Sequence, residues 1–311
     1  NQEEGAELSP WHPEANQIDK PSEFLVLALG KLGGREPNYH SDLDLVFLYE
    51  AEGYTNTERR GRQGSTTNNH FFSELSQRVI KKANHFGPYG RLYEVDPRLR
   101  PTGRGGALAV SLDEFVRYFH TGAGQLWERQ ALCKARIVIG SKNAALKAEK
   151  AIEAATYCKP WQSQDAAEIH SMRLKLQETA SALNLKRSSG GTMDTEFIVQ
   201  MLQLKHGEEK PEIRVTGTVA GLQALGEMGI LLSEDVNFLR DAYRFQRSIE
   251  ARIRLMDSSG RHEYPTDKKE QAKLAFLAGY ENSDQLSQKI DQTFKQVRKT
   301  FLRIFAAAES E

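Results

Sequence analysis

Cysteine is scarce, and neither Cys133 nor Cys158, the two present, has a zinc-ligand partner pattern. Both stand in helix-like contexts and fit a reducing cytoplasm better than a disulfide scaffold. Excess charge is missing as well. Lysine plus arginine and aspartate plus glutamate number 42 each, so no global basic field points to nucleic acid. No run of about eighteen apolar residues offers a membrane span. The eight histidines show no metal-ligand spacing. Neither a Gly-x-Ser-x-Gly elbow nor a Cys/His nucleophile arrangement is found, which leaves hydrolases of those classes unsupported. Lys31 lies in a glycine run, but the Gly-x4-Gly-Lys-Ser/Thr spacing of a P-loop is absent. Internal repeats and low-complexity tracts are lacking. So are an initiating methionine and a signal-peptide pattern, and a chain that begins at Asn1 reads as a piece of a longer protein.

What the sequence does contain is a pair of carboxylates set between apolar segments. Residues 24–29 (Phe-Leu-Val-Leu-Ala-Leu) and 43–49 read as buried strands. Gly30, Lys31, Gly33 and Gly34 follow the first, and Ser41-Asp42-Leu43-Asp44 opens the second. Side chains two apart on a strand share a face, so Asp42 and Asp44 project together. A lone Asp-x-Asp is ordinarily a solvated strand end. Here the upstream glycines would let a triphosphate approach the backbone, and Asp96 ends a further short strand expected over 92–96. Three such acids suit two divalent cations, which points to phosphoryl or nucleotidyl transfer.

The 311 residues are enough for two domains. Residues 1–22 are polar with three prolines and read as an extended lead-in. The stretch 51–68 is poor in apolar residues. An amphipathic helix is expected over 69–85, broken by Gly87-Pro88-Tyr89-Gly90, with more helices over 111–120, 124–136 and 142–157. Beyond Pro160 only helical periodicity is found, over 164–187, 192–206, 216–228, 233–256, 268–279 and 283–307. Arg98, Arg100 and Arg104 follow Asp96 among glycines and prolines. Each suits either phosphate contact or a blander role in a solvated loop or in internal pairing with acids, and phosphate contact is expected for at least one of them. Trp127 is expected in the core between the domains, and Lys134 on a solvated helix face. Asp194 and Glu196 fall in the first turns of a helix after Gly190-Gly191, where negative charge opposes the helix dipole.

Four stretches together carry a family resemblance. They are Leu29-Gly30-Lys31-Leu32-Gly33-Gly34-Arg35-Glu36 through Ser41-Asp42-Leu43-Asp44; Tyr93-Glu94-Val95-Asp96-Pro97-Arg98-Leu99-Arg100-Pro101; Trp127-Glu128-Arg129-Gln130 with Lys134 and Arg136; and Gly190-Gly191 with Asp194, Glu196 and Phe197. The chain resembles one nucleotidyltransferase half of the bifunctional glutamate–ammonia-ligase adenylyltransferase/adenylyl-removing enzymes. The resemblance implies an α+β fold, a polymerase-β-like nucleotidyltransferase domain over 23–160 followed by an all-α helical bundle over 161–311. It matches Asp42, Asp44 and Asp96 to the family's catalytic and metal-binding carboxylates. Gly30, Lys31, Gly33, Gly34, Ser41, Arg98 and Arg100 are the candidate nucleotide-binding residues. Also implied are Mg2+, ATP as donor, a tyrosine hydroxyl of glutamine synthetase as acceptor, and control of nitrogen metabolism by the PII signalling protein and glutamine in the cytoplasm.

Two related copies occur in that family, one attaching AMP and one removing it by phosphorolysis to ADP. Asp96 with its flanking residues, the turn at 100–103 and Glu209-Lys210-Pro211 favour the adenylylating copy. The glycine run and Phe197-Ile198-Val199-Gln200 suit the other nearly as well. A non-catalytic module that binds nucleotide or PII is the third reading. Pro37 and His40 depart from the pattern in the loop before the carboxylates, as do Met193 and Thr195 after the glycine pair.

Overall fold

The apolar segments β1 (Phe24–Ala28) and β2 (Leu43–Tyr49) pair antiparallel, from Phe24 opposite Tyr49 to Ala28 opposite Leu45. They lie in a computed structural model that describes residues 21–55, 66–88, 90–91, 93–257 and 260–310. The expectations for 1–20, for 56–65, for Tyr89 and for Leu92 lie outside the described residues. The chain divides into two compact units. One holds the residues up to Gly34 with Asp42–Pro160; the other holds Arg35–Ser41 with the residues from Trp161 onward.

In the first unit, a four-residue helix, α1 (Gly30–Gly33), occupies the glycine run that follows β1. After β2 come α2 (Asn68–Ala83), the two-residue strands β3 (Phe86–Gly87) and β4 (Gly90–Arg91), and β5 (Val95–Asp96). Then follow β6 (Ala109–Ser111), α3 (Leu112–His120), α4 (Leu126–Leu132), β7 (Arg136–Ile139) and α5 (Lys142–Thr156). β5 and β6 both pair parallel to β2, and β7 pairs antiparallel to β1 on its other side. Alternate residues of the central strands enter two cores. Leu25, Leu27, Val46 and Leu48 pack with Phe115, Phe119 and the buried alanine stripe Ala144, Ala148, Ala151 and Ala155. Val26, Ala28, Leu45, Phe47 and Tyr49 pack with Phe72 of α2. Strands covered on both faces read as unbroken apolar runs, which is how these two read. Helix starts are fixed locally, by Thr67, Ser111 and Ser141 accepting backbone N–H groups three residues on.

Three local expectations need correction. The helix expected over 124–136 ends at Leu132, and the β-branched run Ile137-Val138-Ile139 belongs to edge strand β7. Trp127 is 37% exposed and donates its indole N–H to the Gln125 side chain at 2.6 Å, so it is not a core residue. Lys134 is 3% exposed and therefore buried rather than on a solvated face. Beside it Arg129 ties α4 to the end of α5, donating to the carbonyls of Thr156 and Lys159, both at 2.9 Å.

The second unit contains no strand among its described residues, in line with the helical periodicity. Its helices are α6 (Ser163–Glu178), α7 (Thr192–His206), α8 (Thr218–Glu227), α9 (Ser233–Asp257), α10 (Lys268–Ala278) and α11 (Ser283–Ser310). α6 stops short of the expected 187. Leu183 and Leu185 instead exchange backbone hydrogen bonds with Tyr264 and His262, at 2.8 Å each. α7 is buried almost all round. Near its start Asp194 does more than oppose a dipole. It is fully buried, 2.6 Å from the equally buried Arg173 and 3.3 Å from Arg298, and accepts the Gly190 N–H at 2.9 Å. Burial, helped by the neighbouring Arg298 charge, pushes the Arg173 guanidinium below its ordinary value, and the Asp194 charge opposes that shift. Asp194→Ala would leave two arginines without their counter-ion and should cost about 3–5 kcal/mol. Urea denaturation followed by far-UV dichroism checks this, with the helical unit losing structure at lower denaturant.

Candidate active site

The three candidate carboxylates gather where β2 and β5 begin their parallel ladder. Leu43 pairs with Val95 and Asp44 with Asp96, so Asp44 and Asp96 are direct cross-strand partners. The Leu43 N–H donates to Glu94 O at 2.7 Å and locks that register. Asp42, exposed, stands two residues before Asp44. Gly30 faces them. Its φ is +52°, and a Cβ built there would fall 2.2 Å from Asp44 Oδ2. Only a residue without a side chain fits both that backbone and that neighbour. The Leu29 N–H donates to Asp44 O at 2.9 Å, so the turn is fastened to β2 itself.

Gly33 is glycine for another reason. A Cβ there would fall 1.9 Å from Lys134 O and 2.7 Å from Ala28 O. The N–H groups of Gly33 and Gly34 donate within the turn, to Leu29 O at 2.8 Å and Gly30 O at 3.2 Å. Arg136 donates to Leu32 O at 2.8 Å and Gly33 O at 3.1 Å, completing the C-terminus of α1. That is a structural use for Arg136, which neither spacing nor periodicity disclosed.

Among the three arginines, Arg98 pairs with an acid of the site. Arg98 grips Asp96 through Nε, at 2.8 Å from Oδ1 and 2.7 Å from Oδ2, and also through Nη2. The hydrogen bond from Arg98 holds the Asp96 carboxyl below the usual carboxylate range, against the opposing effect of burial. Conversely, Asp96 raises the Arg98 guanidinium above its ordinary value, and the charges of Asp44 and Asp42 add to that rise. All three acids therefore act on one cation. Arg100 is spent on backbone, donating to Pro97 O at 2.8 Å, Ala107 O at 3.1 Å and Gly106 O at 3.5 Å, which folds the loop after β5. Arg104 is exposed. Ser41 belongs to the second unit, where its hydroxyl accepts the Asn38 N–H at 2.9 Å.

Among the described residues, no three His, Cys, Asp or Glu side chains form a ready-made metal cluster. The donor set nevertheless fits a hard divalent cation. It offers carboxylate oxygens from adjacent strands, a bare glycine backbone opposite Asp44, and an arginine charge already drawn to the same three acids. Arg98→Ala should raise the Asp96 pKa toward the ordinary carboxylate value, as read by NMR titration of its carboxyl carbon. The sign follows from linkage. With a depressed folded pKa, the pair's stabilisation is complete above the ordinary range and is lost as pH falls through the lowered value. In the variant that acid-side loss should vanish.

Comparison with known proteins separates the same two regions. Residues 5–151 match the glutamate-ammonia ligase adenylyltransferase family, and residues 164–305 match a family described as GlnD PII-uridylyltransferase. Three similar proteins are each named bifunctional glutamine synthetase adenylyltransferase/adenylyl-removing enzyme. The one from Thioalkalivibrio sulfidiphilus is 31% identical over 98% of this chain and 31% of its own length. That from Neisseria meningitidis serogroup B is 31% identical over 96% and 33%. That from Bordetella pertussis is 33% identical over 89% and 31%. The chain thus spans about a third of the length of the curated relatives it matches. Sustained identity across both units, together with carboxylates, glycine turn and helical unit in the expected order, shows that the chain belongs to the glutamate–ammonia ligase adenylyltransferase family.

Proposed function

We propose that the first unit is a nucleotidyltransferase centre that transfers AMP from ATP to a tyrosine hydroxyl of glutamine synthetase. The observation that carries this reading is the cross-strand pair Asp44–Asp96, with Asp42 two residues upstream and Gly30 opposite. The names of the relatives support the protein substrate. The match of the helical unit to a PII-uridylyltransferase family supports control through PII.

Asp42, Asp44 and Asp96 would hold Mg2+, which when bound acidifies the attacking hydroxyl and neutralises charge on the departing pyrophosphate. In the transfer the tyrosine oxygen, its proton lost to water, bonds to the α-phosphorus of ATP. The bond to the β-phosphate oxygen breaks, and pyrophosphate leaves. Gly30, with no side chain, keeps the approach to Asp44 open. Asp96, held ionised by Arg98, is a poor proton acceptor and serves as a negative ligand. Gly33 and Gly34 shape the turn under the triphosphate, and Lys31 lies within that turn. Arg98, paired with Asp96, would be the arginine that turns to phosphate when the nucleotide is bound. Arg100 acts on the nucleotide through the loop it folds. The cytoplasm, where ATP and glutamine synthetase occur, is the setting this activity needs.

ATP labelled at the α-phosphate, given with Mg2+ and unmodified glutamine synthetase, should pass label to protein. Asp44→Asn should lower that transfer by several orders of magnitude. Phosphate-dependent ADP release from pre-adenylylated substrate, without label incorporation, would assign the adenylyl-removing reaction instead. Absence of both reactions would leave a nucleotide-binding module.

A further inference from the structure

Seven residues of the first half of the chain, Arg35–Ser41, cluster with the helical unit. They link the glycine turn, which ends at Gly34, to Asp42. Within the helical unit their contacts are polar and specific. The Glu36 carboxylate accepts the Thr218 N–H at 2.6 Å, the Thr218 hydroxyl at 3.0 Å and the Tyr243 hydroxyl at 2.9 Å. Thr218 is the first residue of α8, and the N-cap, Gly217, has no side chain to satisfy it. Glu36 therefore does the work of an N-cap from a distant part of the sequence, with its charge at the favourable end of the helix.

The remaining contacts come from a single stripe of α9. Tyr243, Arg247, Glu250 and Arg254 recur at the three- and four-residue spacing that puts side chains on one helix face. Arg247 donates to Glu36 O at 2.6 Å, and Arg254 to Tyr39 O at 2.7 Å and Ser41 Oγ at 3.3 Å. Glu250, 1% exposed, lies between Arg247 and Arg254 with His262 at 2.6 Å, and receives the Asn38 amide at 3.5 Å. A helix seldom buries so polar a stripe without a specific partner, and Arg35–Ser41 is that partner. The segment also holds two non-glycine residues in the left-handed region, Arg35 at φ +57° and His40 at φ +55°. Such a backbone persists only where surrounding contacts fix it.

We propose that Glu36 and the α9 stripe Tyr243, Arg247, Glu250 and Arg254 are positioning residues for Asp42, setting the geometry of the carboxylate site through the segment that leads into it. This makes the helical unit a determinant of cation affinity rather than a passive attachment. The inference rests on the carboxylate site of the proposed function. Its test is a titration of the chain with Mn2+, free ion being read by electron paramagnetic resonance well below the melting temperature. Glu36→Ala should weaken Mn2+ binding about tenfold, the scale of losing a residue that orients a ligand. Tyr243→Phe, which removes one hydroxyl and should fold unaided, should weaken it less.

Arg173→Lys perturbs the same unit away from Arg35–Ser41, and should lower the melting temperature while leaving Mn2+ affinity unchanged. Wild-type affinity in both Glu36→Ala and Tyr243→Phe would overturn the proposal. So would an equal loss in Arg173→Lys, since the effect would then be one of general stability. Asp44→Asn separates the two levels. If it abolishes Mn2+ binding, the carboxylate site stands whatever the α9 variants do. If it binds as wild type, the carboxylate site itself fails and takes this inference with it.

Discussion

Like charges directly opposite one another on neighbouring strands repel, yet the parallel register of β2 and β5 sets Asp44 against Asp96, with Asp42 two residues before Asp44 in the chain. Everything around this spot serves to tolerate that crowding. The register is locked by Leu43 donating to Glu94, and Asp44 is approached by a residue with no side chain. Arg98 supplies the positive charge, close enough that its own protonation responds to all three acids. Arg100 in turn ties together the loop in which Arg98 sits. The sheet, with a helical core on each face, is the platform that makes a two-residue ladder rigid enough to hold such a cluster.

The parts legible in the sequence were those governed by short-range pattern. Apolar runs located β1 and β2, and amphipathic spacing located α2, α5 and the helices beyond Pro160. The α+β order of a mixed unit followed by helices is borne out. β7 escaped because it follows α4 after only three residues and lies at the sheet edge, where Val138 and Ile139 are 40% and 54% exposed. β6 is three residues long, too short for a period-two pattern to show. The carboxylates could be named from spacing, but Arg98 could not be assigned to Asp96 without seeing its side chain turn back two residues. Least legible was the affiliation of Arg35–Ser41, since its polar partners lie far along the chain.

The helical unit is held by charge inside as well as by apolar contact. Asp194 between Arg173 and Arg298 organises one region, and Glu250 among Arg247, Arg254 and His262 another. Burial pushes the Glu250 carboxyl up, but the His262 hydrogen bond and the flanking arginines outweigh it and bring it down to about 2. Buried ion clusters add little net stability over apolar packing, and their use lies in fixing one arrangement among several of similar energy. Among the helices of this unit, such contacts select which faces meet.

The discontinuity of the helical unit also has a temporal side. Glu36 precedes Thr218, Tyr243 and Arg247 by 182, 207 and 211 residues. At a synthesis rate of about 5–20 residues per second, the acid is made roughly ten to forty seconds before its partners. Over that interval β1 and β2 can already pair, whereas Arg35 and His40 have nothing to hold them left-handed. The segment Arg35–Ser41 thus stays unfinished until α9 emerges. Closure of the segment that leads into Asp42 is deferred until the later-made helical unit emerges.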